Sequence, residues 1–202
     1  MENRRIAWLP VLRLAGGPSS ERPTADGPDD RYVEFEVGVR SMPYLADHGF
    51  HDMVVLPGSF HVETARFIHS ELFQSAAATV RNVEFDNPVI LGDEAAAITV
   101  QVGGGGNRGI SYTFYEASQV VARLEIDGEE FPFRERRDCG FPVEAFKNRA
   151  ESVTRSAGLY RRLRDNGNQY GPQFQNLSAI WRVGDEALGQ LAVPKEMVCA
   201  DP

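Results

Sequence analysis

A long helical pattern sits among segments of strand-like alternation, and the rest of the chain has to be built around it. From Phe60 the apolar residues Val62, Ala65, Ile68 and Leu72 recur at steps of three and four, which predicts a helix to about Phe73. Pro57-Gly58-Ser59, just ahead, supplies a turn and an N-cap at Ser59. On either side the period changes to two. Tyr32–Val39, Thr79–Phe85, Ala97–Val102, Ile110–Tyr115 and Gln119–Ile126 read as strands, and Met53 to Leu56 as a short buried run. An amphipathic helix must lay its apolar face on something, and alternating strands each offer one apolar face. The pattern therefore predicts the α+β class, with the helix segregated against an antiparallel sheet.

The flanks organise the chain further. Ile6–Leu14 is an apolar segment broken by Pro10, and residues 15–30 are rich in Gly, Pro, Ser and Asp, which is linker chemistry. Residues 1–30 thus form an arm or linker, and 31–128 a first lobe. The glycines from Gly103 to Gly109 lack the lysine of a phosphate-binding loop and read as a hairpin connection. Residues 129–155, charged and broken by Pro132 and Pro142, read as an irregular connection. Residues 156–202 carry a short helix at Leu159–Arg164 and a hairpin of Leu177–Val183 with Ala187–Val193.

Composition excludes more than it selects. The chain of 202 residues has a formal net charge of -8, which argues against general nucleic-acid binding because phosphate contacts need a basic surface. Cys139 and Cys199 form no C-x-x-C pair and read as free thiols in a reducing cytoplasm. The N-terminus shows neither a signal-peptide pattern nor a membrane span.

The residues that carry chemistry begin at Tyr44-Leu45-Ala46-Asp47-His48 and continue to Leu56-Pro57-Gly58. His48 stands at the mouth of an apolar run that leads into the helix, where it can face a ligand channel. Its spacing to Pro57 resembles the His-x3-Gly-x4-Pro motif of hot-dog dehydratases, with Asp52 where that family has glycine. A second stretch, Leu159-Tyr160 followed by Tyr170-Gly171-Pro172-Gln173-Phe174, and a third, Phe85–Leu91, also look like polyketide synthase dehydratase domains. The segment Trp8-Leu9-Pro10 with Leu12-Arg13 resembles the end of the acyltransferase domain that precedes them.

This resemblance implies a double hot-dog fold, the first lobe complete and the second partial, with an antiparallel sheet wrapped around the long helix. It implies removal of water from a 3-hydroxyacyl thioester to leave an α,β-enoyl thioester. No cofactor is implied, because the substrate rides on the phosphopantetheine of an acyl carrier protein. That carrier and neighbouring synthase domains would be the partners, with a homodimer possible and no membrane involved.

Catalysis would fall to His48 as the base that takes the α-proton. Pro57, Gly58 and Ser59 would bind substrate, the N–H groups of Gly58 and Ser59 polarising the thioester carbonyl. Tyr170, Gly171 and Pro172 would line the substrate tunnel. The family's proton donor, an aspartic acid in a His-Pro-x-x-x-Asp segment, is expected beyond Pro202, and Asp201 lacks that context. A side chain at Asp52 either crowds the pantetheine arm or points away.

Blander readings stand beside these. His61 and His69 on the helix read as structural, and His51, Asp52 and His61, taken with His48, match no helix-based metal-ligand pair of the H-E-x-x-H kind. Arg161, Arg162 and Arg164 read first as a solvated helix face and second as a docking patch for the carrier. The rival functions are a non-catalytic scaffold, or a hot-dog isomerase, cyclase or thioesterase.

Overall fold

The structure, a computed structural model, describes residues 10–14, 30–75, 79–105, 109–127 and 140–192. In chain order these form β1 (Arg13–Leu14), β2 (Arg31–Val37), a 3₁₀ turn (Pro43–Asp47), β3 (His48–Phe50), β4 (Met53–Val55), α1 (Gly58–Phe73), β5 (Thr79–Phe85) and β6 (Ile90–Leu91). Then come β7 (Ala96–Gly105), β8 (Gly109–Glu116), β9 (Gln119–Asp127), α2 (Val143–Asn148), β10 (Ser152–Arg155) and α3 (Ser156–Asp165). The chain continues through β11 (Asn168–Tyr170), a 3₁₀ turn (Pro172–Phe174), β12 (Leu177–Val183) and β13 (Glu186–Leu191). Two compact units result: one holds the described residues of Met1–Leu45 and Val55–Phe133, the other those of Ala46–Val54 and Arg134–Pro202.

In the first unit the alternating segments pair antiparallel into one sheet of order β1-β2-β7-β8-β9-β5. Val100, Tyr112, Phe114, Val121, Leu124 and Ile126 are buried and form much of the core against which α1 lies. The described part of the N-terminal segment adds β1 to this unit's own sheet, with Leu14 opposite Val33. The hairpin of β7 and β8 pairs as far as Gly105 opposite Gly109, and the connection between them lies outside the described residues.

The helix departs from expectation in two respects. Its N-cap is Pro57, with no side-chain cap, and Ser59 lies exposed inside the first turn rather than capping it. Its buried stripe is Phe60, His61, Thr64, Ala65, Ile68 and His69, while Val62 and Leu72 are only half-buried. The two runs 60-64-68 and 61-65-69 follow the four-residue step of one helix face, so burial follows geometry and takes three polar residues with it. The helix ends where Gln74 turns left-handed at φ 55° and returns its N–H to the Ser70 carbonyl at 3.0 Å.

The second unit joins β11, β3 and β4 as neighbours, all antiparallel. A separate antiparallel sheet runs β10-β12-β13. The stretch expected as an irregular connection carries both α2 and β10, whose Ser152–Arg155 pairs with Arg182–Ala179. Phe146 of α2 is buried, and the neighbouring Lys147 ammonium lies 4.8 Å from the Trp181 ring centre. The run expected to be buried is so only at its end: Met53 is exposed, Val54 and Val55 half-buried, and Leu56 buried. Among the described residues no helix is long and apolar enough to cross a membrane.

Candidate active site around His48

His48 opens β3 and is half-buried in the second unit. The antiparallel register sets Tyr170 directly opposite it. The 3₁₀ turn after Tyr170 brings Phe174 back to the same place. The imidazole centre lies 5.2 Å from the Tyr170 ring and 5.0 Å from the Phe174 ring. These rings sit 6.4 Å apart at 27° to each other. One strand pair and one turn thus bring a titratable ring against two aromatic rings that also touch each other.

The strand after His48 turns tightly. Phe50 and Met53 pair across a two-residue connection whose residues, His51 and Asp52, both have positive φ, 46° and 63°. That is the requirement of a type I′ hairpin turn, which is why glycine is favoured at its second centre. Asp52 occupies that centre, and its exposed carboxylate accepts the Gln169 side-chain N–H at 2.7 Å. In return the Asp52 backbone N–H donates to Gln169 Oε1 at 2.7 Å. The side chain is thus held along the neighbouring strand. His51 donates its N–H to the Gly167 carbonyl at 2.9 Å, and a Cβ at Gly167 would meet the His51 ring.

The other expected site residues divide between the units. Tyr170, Gly171 and Pro172 lie beside His48 in the second. Pro57, Gly58 and Ser59 lie at the start of α1 in the first, where the opening N–H groups of a helix have no intrahelical partner. The ring of Phe85 lies so near Gly58 that a Cβ there would come within 2.7 Å of it.

His61, one turn further on, is buried against Phe60, Phe85 and Phe114. Neither ring nitrogen makes a hydrogen bond of ordinary geometry with the described residues. Burial pushes its pKa down to about 4, against a weaker upward pull from the Pro57 and Gly58 carbonyls. His69 instead shares a 2.8 Å hydrogen bond with the Tyr112 hydroxyl, and burial lowers its pKa. A groove of the first unit, lined by Arg13, Glu34, Glu36, Arg40 and Asp93 among others, includes none of the expected site residues. Among the described residues no group of three His, Cys, Asp or Glu side chains is placed to hold a metal. Arg161, Arg162 and Arg164 are exposed on α3, whereas Asp201 lies outside the described residues.

Four residues beside His48 were not among the expected site residues. Phe174 lay within a quoted motif, where its spacing from Tyr170 was the available signal. Asp47 and Gln169 act through partners more than a hundred residues away, which no local pattern reveals. Tyr160, buried on α3, donates to the Phe174 carbonyl at 3.4 Å and accepts the Leu177 N–H at 2.9 Å.

A long helix laid against an antiparallel sheet is the hot-dog arrangement, and solved structures similar to this chain include polyketide synthase dehydratase domains. The dehydratase domain from the CurF module of curacin polyketide synthase matches with a TM-score of 0.73 at 22% identity, over 88% of this chain and 65% of that one. The CurK dehydratase matches at 0.69 and 17% identity, over 87% and 62%. Two family models match the sequence: the polyketide synthase dehydratase domain over residues 20–117 and the polyketide synthase dehydratase N-terminal domain over residues 142–200. The chain belongs to the polyketide synthase dehydratase family. Pikromycin polyketide synthase component PikAII of Streptomyces venezuelae is 30% identical over 180 residues, taking in 82% of this chain and 4% of that protein. This chain therefore spans a small part of the synthase it resembles and about two thirds of each solved dehydratase domain.

Proposed function

We propose that this domain takes part in dehydrating a 3-hydroxyacyl thioester delivered on the phosphopantetheine of an acyl carrier protein, with His48 as the base. The observation that carries the reading is the half-buried imidazole packed against Tyr170 and Phe174 in a chain of the dehydratase family. A neutral imidazole takes the proton from the carbon next to the thioester carbonyl, which acidifies it. The electron pair of the C–H bond forms the new C=C bond. The bond from the next carbon to its hydroxyl breaks, and that oxygen leaves as water with a proton from a general acid. The CurK dehydratase fits this division of labour, since a histidine-to-phenylalanine and an aspartate-to-asparagine mutant of it are both inactive.

Two local features support substrate binding. The first-turn N–H groups at Gly58 and Ser59 carry no side-chain cap and suit a carbonyl oxygen on which negative charge develops. Pro57 sets the extended entry into that turn, with φ -62° and ψ 139°. Tyr170, Gly171 and Pro172 offer an apolar wall beside the imidazole.

The histidine half of the reaction is measurable alone, because exchange of the α-proton needs a base but no loss of water. In deuterium oxide, a 3-hydroxyacyl pantetheine thioester incubated with the protein should gain one deuterium by mass spectrometry, and His48→Ala should abolish the gain. A folded wild-type protein that binds the thioester without exchange, or a variant that exchanges as fast, defeats the proposal and favours a scaffold role.

A further inference from the structure

Asp47, immediately before His48, reaches across the chain with both its main chain and its side chain. Its carbonyl accepts the N–H of Gly171 at 2.8 Å, and its carboxylate Oδ2 accepts the N–H of Gln173 at 2.9 Å. Between these lies Pro172, which has no N–H, so Asp47 takes both donors available in the three-residue step. The approach is close enough that a Cβ at Gly171 would overlap the Asp47 carboxylate. Gly171 has an ordinary φ of -82°, so glycine is needed there for space and not for conformation.

The turn held in this way carries Tyr170 at its start and Phe174 at its end, the two rings that lie against His48. Their orientation depends on the turn, and the imidazole's setting depends on them. We infer that Asp47 is a positioning residue for His48: by accepting the N–H groups of Gly171 and Gln173 it fixes the two rings against which the imidazole packs. Asp47 contacts no reacting atom in this role. The inference rests on the reading of His48 as the base.

Two variants separate geometry from charge. Asp47→Asn keeps an acceptor oxygen for Gln173, while Asp47→Ala removes it. Histidine ring signals of the chain carrying carbon-13 histidine, assigned with His48→Ala, report ring currents from Tyr170 and Phe174 without any turnover. Asp47→Ala should move the His48 signals. It should slow α-proton exchange about tenfold or more at saturating substrate with KM little changed, the usual consequence of a misplaced reacting group. Asp47→Asn should stay close to wild type in both readouts.

Unmoved His48 signals in Asp47→Ala overturn the inference, and so does an equal loss in both variants. Should Asp47→Ala fail to fold, Gly171→Ala carries the test, since its Cβ displaces the same carboxylate and must move the same signals. A wild-type protein without exchange, whose His48 signals still respond to Asp47→Ala, would remove the base reading and leave the positioning intact.

Discussion

A two-residue hairpin turn that needs positive φ at both centres ordinarily takes Asn-Gly or Asp-Gly. Here it takes His51-Asp52. A left-handed residue with a side chain costs about 1–2 kcal/mol, although aspartate tolerates that region better than most. The bond from Gln169 to the Asp52 carboxylate offsets part of this cost. Asp52→Ala keeps the strain and loses the bond, so it should lower stability by about 1–2 kcal/mol. Asp52→Gly relieves the strain as it loses the bond, and should fall within about 1 kcal/mol of wild type. Urea midpoints of the two variants and of Gln169→Ala check this. Asp52→Ala and Asp52→Gly equally destabilised would show that backbone conformation is not what sets the cost. The residue that departs from the motif is held along a neighbouring strand.

At the scale of elements, α1 is joined to β8 by a buried hydrogen bond between His69 Nδ1 and the Tyr112 hydroxyl. Burial lowers the pKa of His69 and raises that of Tyr112, so both partners are neutral near pH 7. Removing one partner leaves the other unsatisfied in the core. Tyr112→Phe should therefore cost about 1–3 kcal/mol, and combining it with His69→Leu should cost less than the sum of the two single changes. Thermal or urea unfolding of the four proteins gives the coupling, and strict additivity would mean the bond contributes nothing. The helix itself was readable from its three-and-four spacing. Its buried face was not, because His61, Thr64 and His69 are polar and enter the core only by lying on the face turned to the sheet.

For the molecule as a whole, the buried His61 ties stability to pH. Its pKa falls from the ordinary 6.5 to about 4 on folding, so between those values the unfolded chain binds a proton that the folded chain does not. Stability from neutral His61 is complete above about pH 6.5 and is lost as pH falls toward about 4, on the order of 3 kcal/mol in all. His61→Phe should remove this share of the slope. The readout is the change in urea-unfolding free energy from pH 7 to pH 4.5 in both proteins, at low concentration because the sequence pI is about 5.1. An identical slope in the variant would count against the shift.

Local pattern was enough to give the strand and helix periods, their order, the acidic balance and the two motifs that mark the dehydratase family, because each depends on neighbours along the chain. It also marked His48, Tyr170, Gly171 and Pro172, which the structure gathers in one unit. The strand inside the expected connection was missed because Ser152–Arg155 is made a strand by pairing with β12, not by an alternation of its own. The setting of His48 belongs to the same class. Asp47 and Gln173 stand 126 positions apart, and Asp52 and Gln169 stand 117 apart. Such bonds exist only once strands and turns have brought distant residues within about 3 Å, a distance no periodicity encodes. Tertiary structure alone decided what holds the histidine in place.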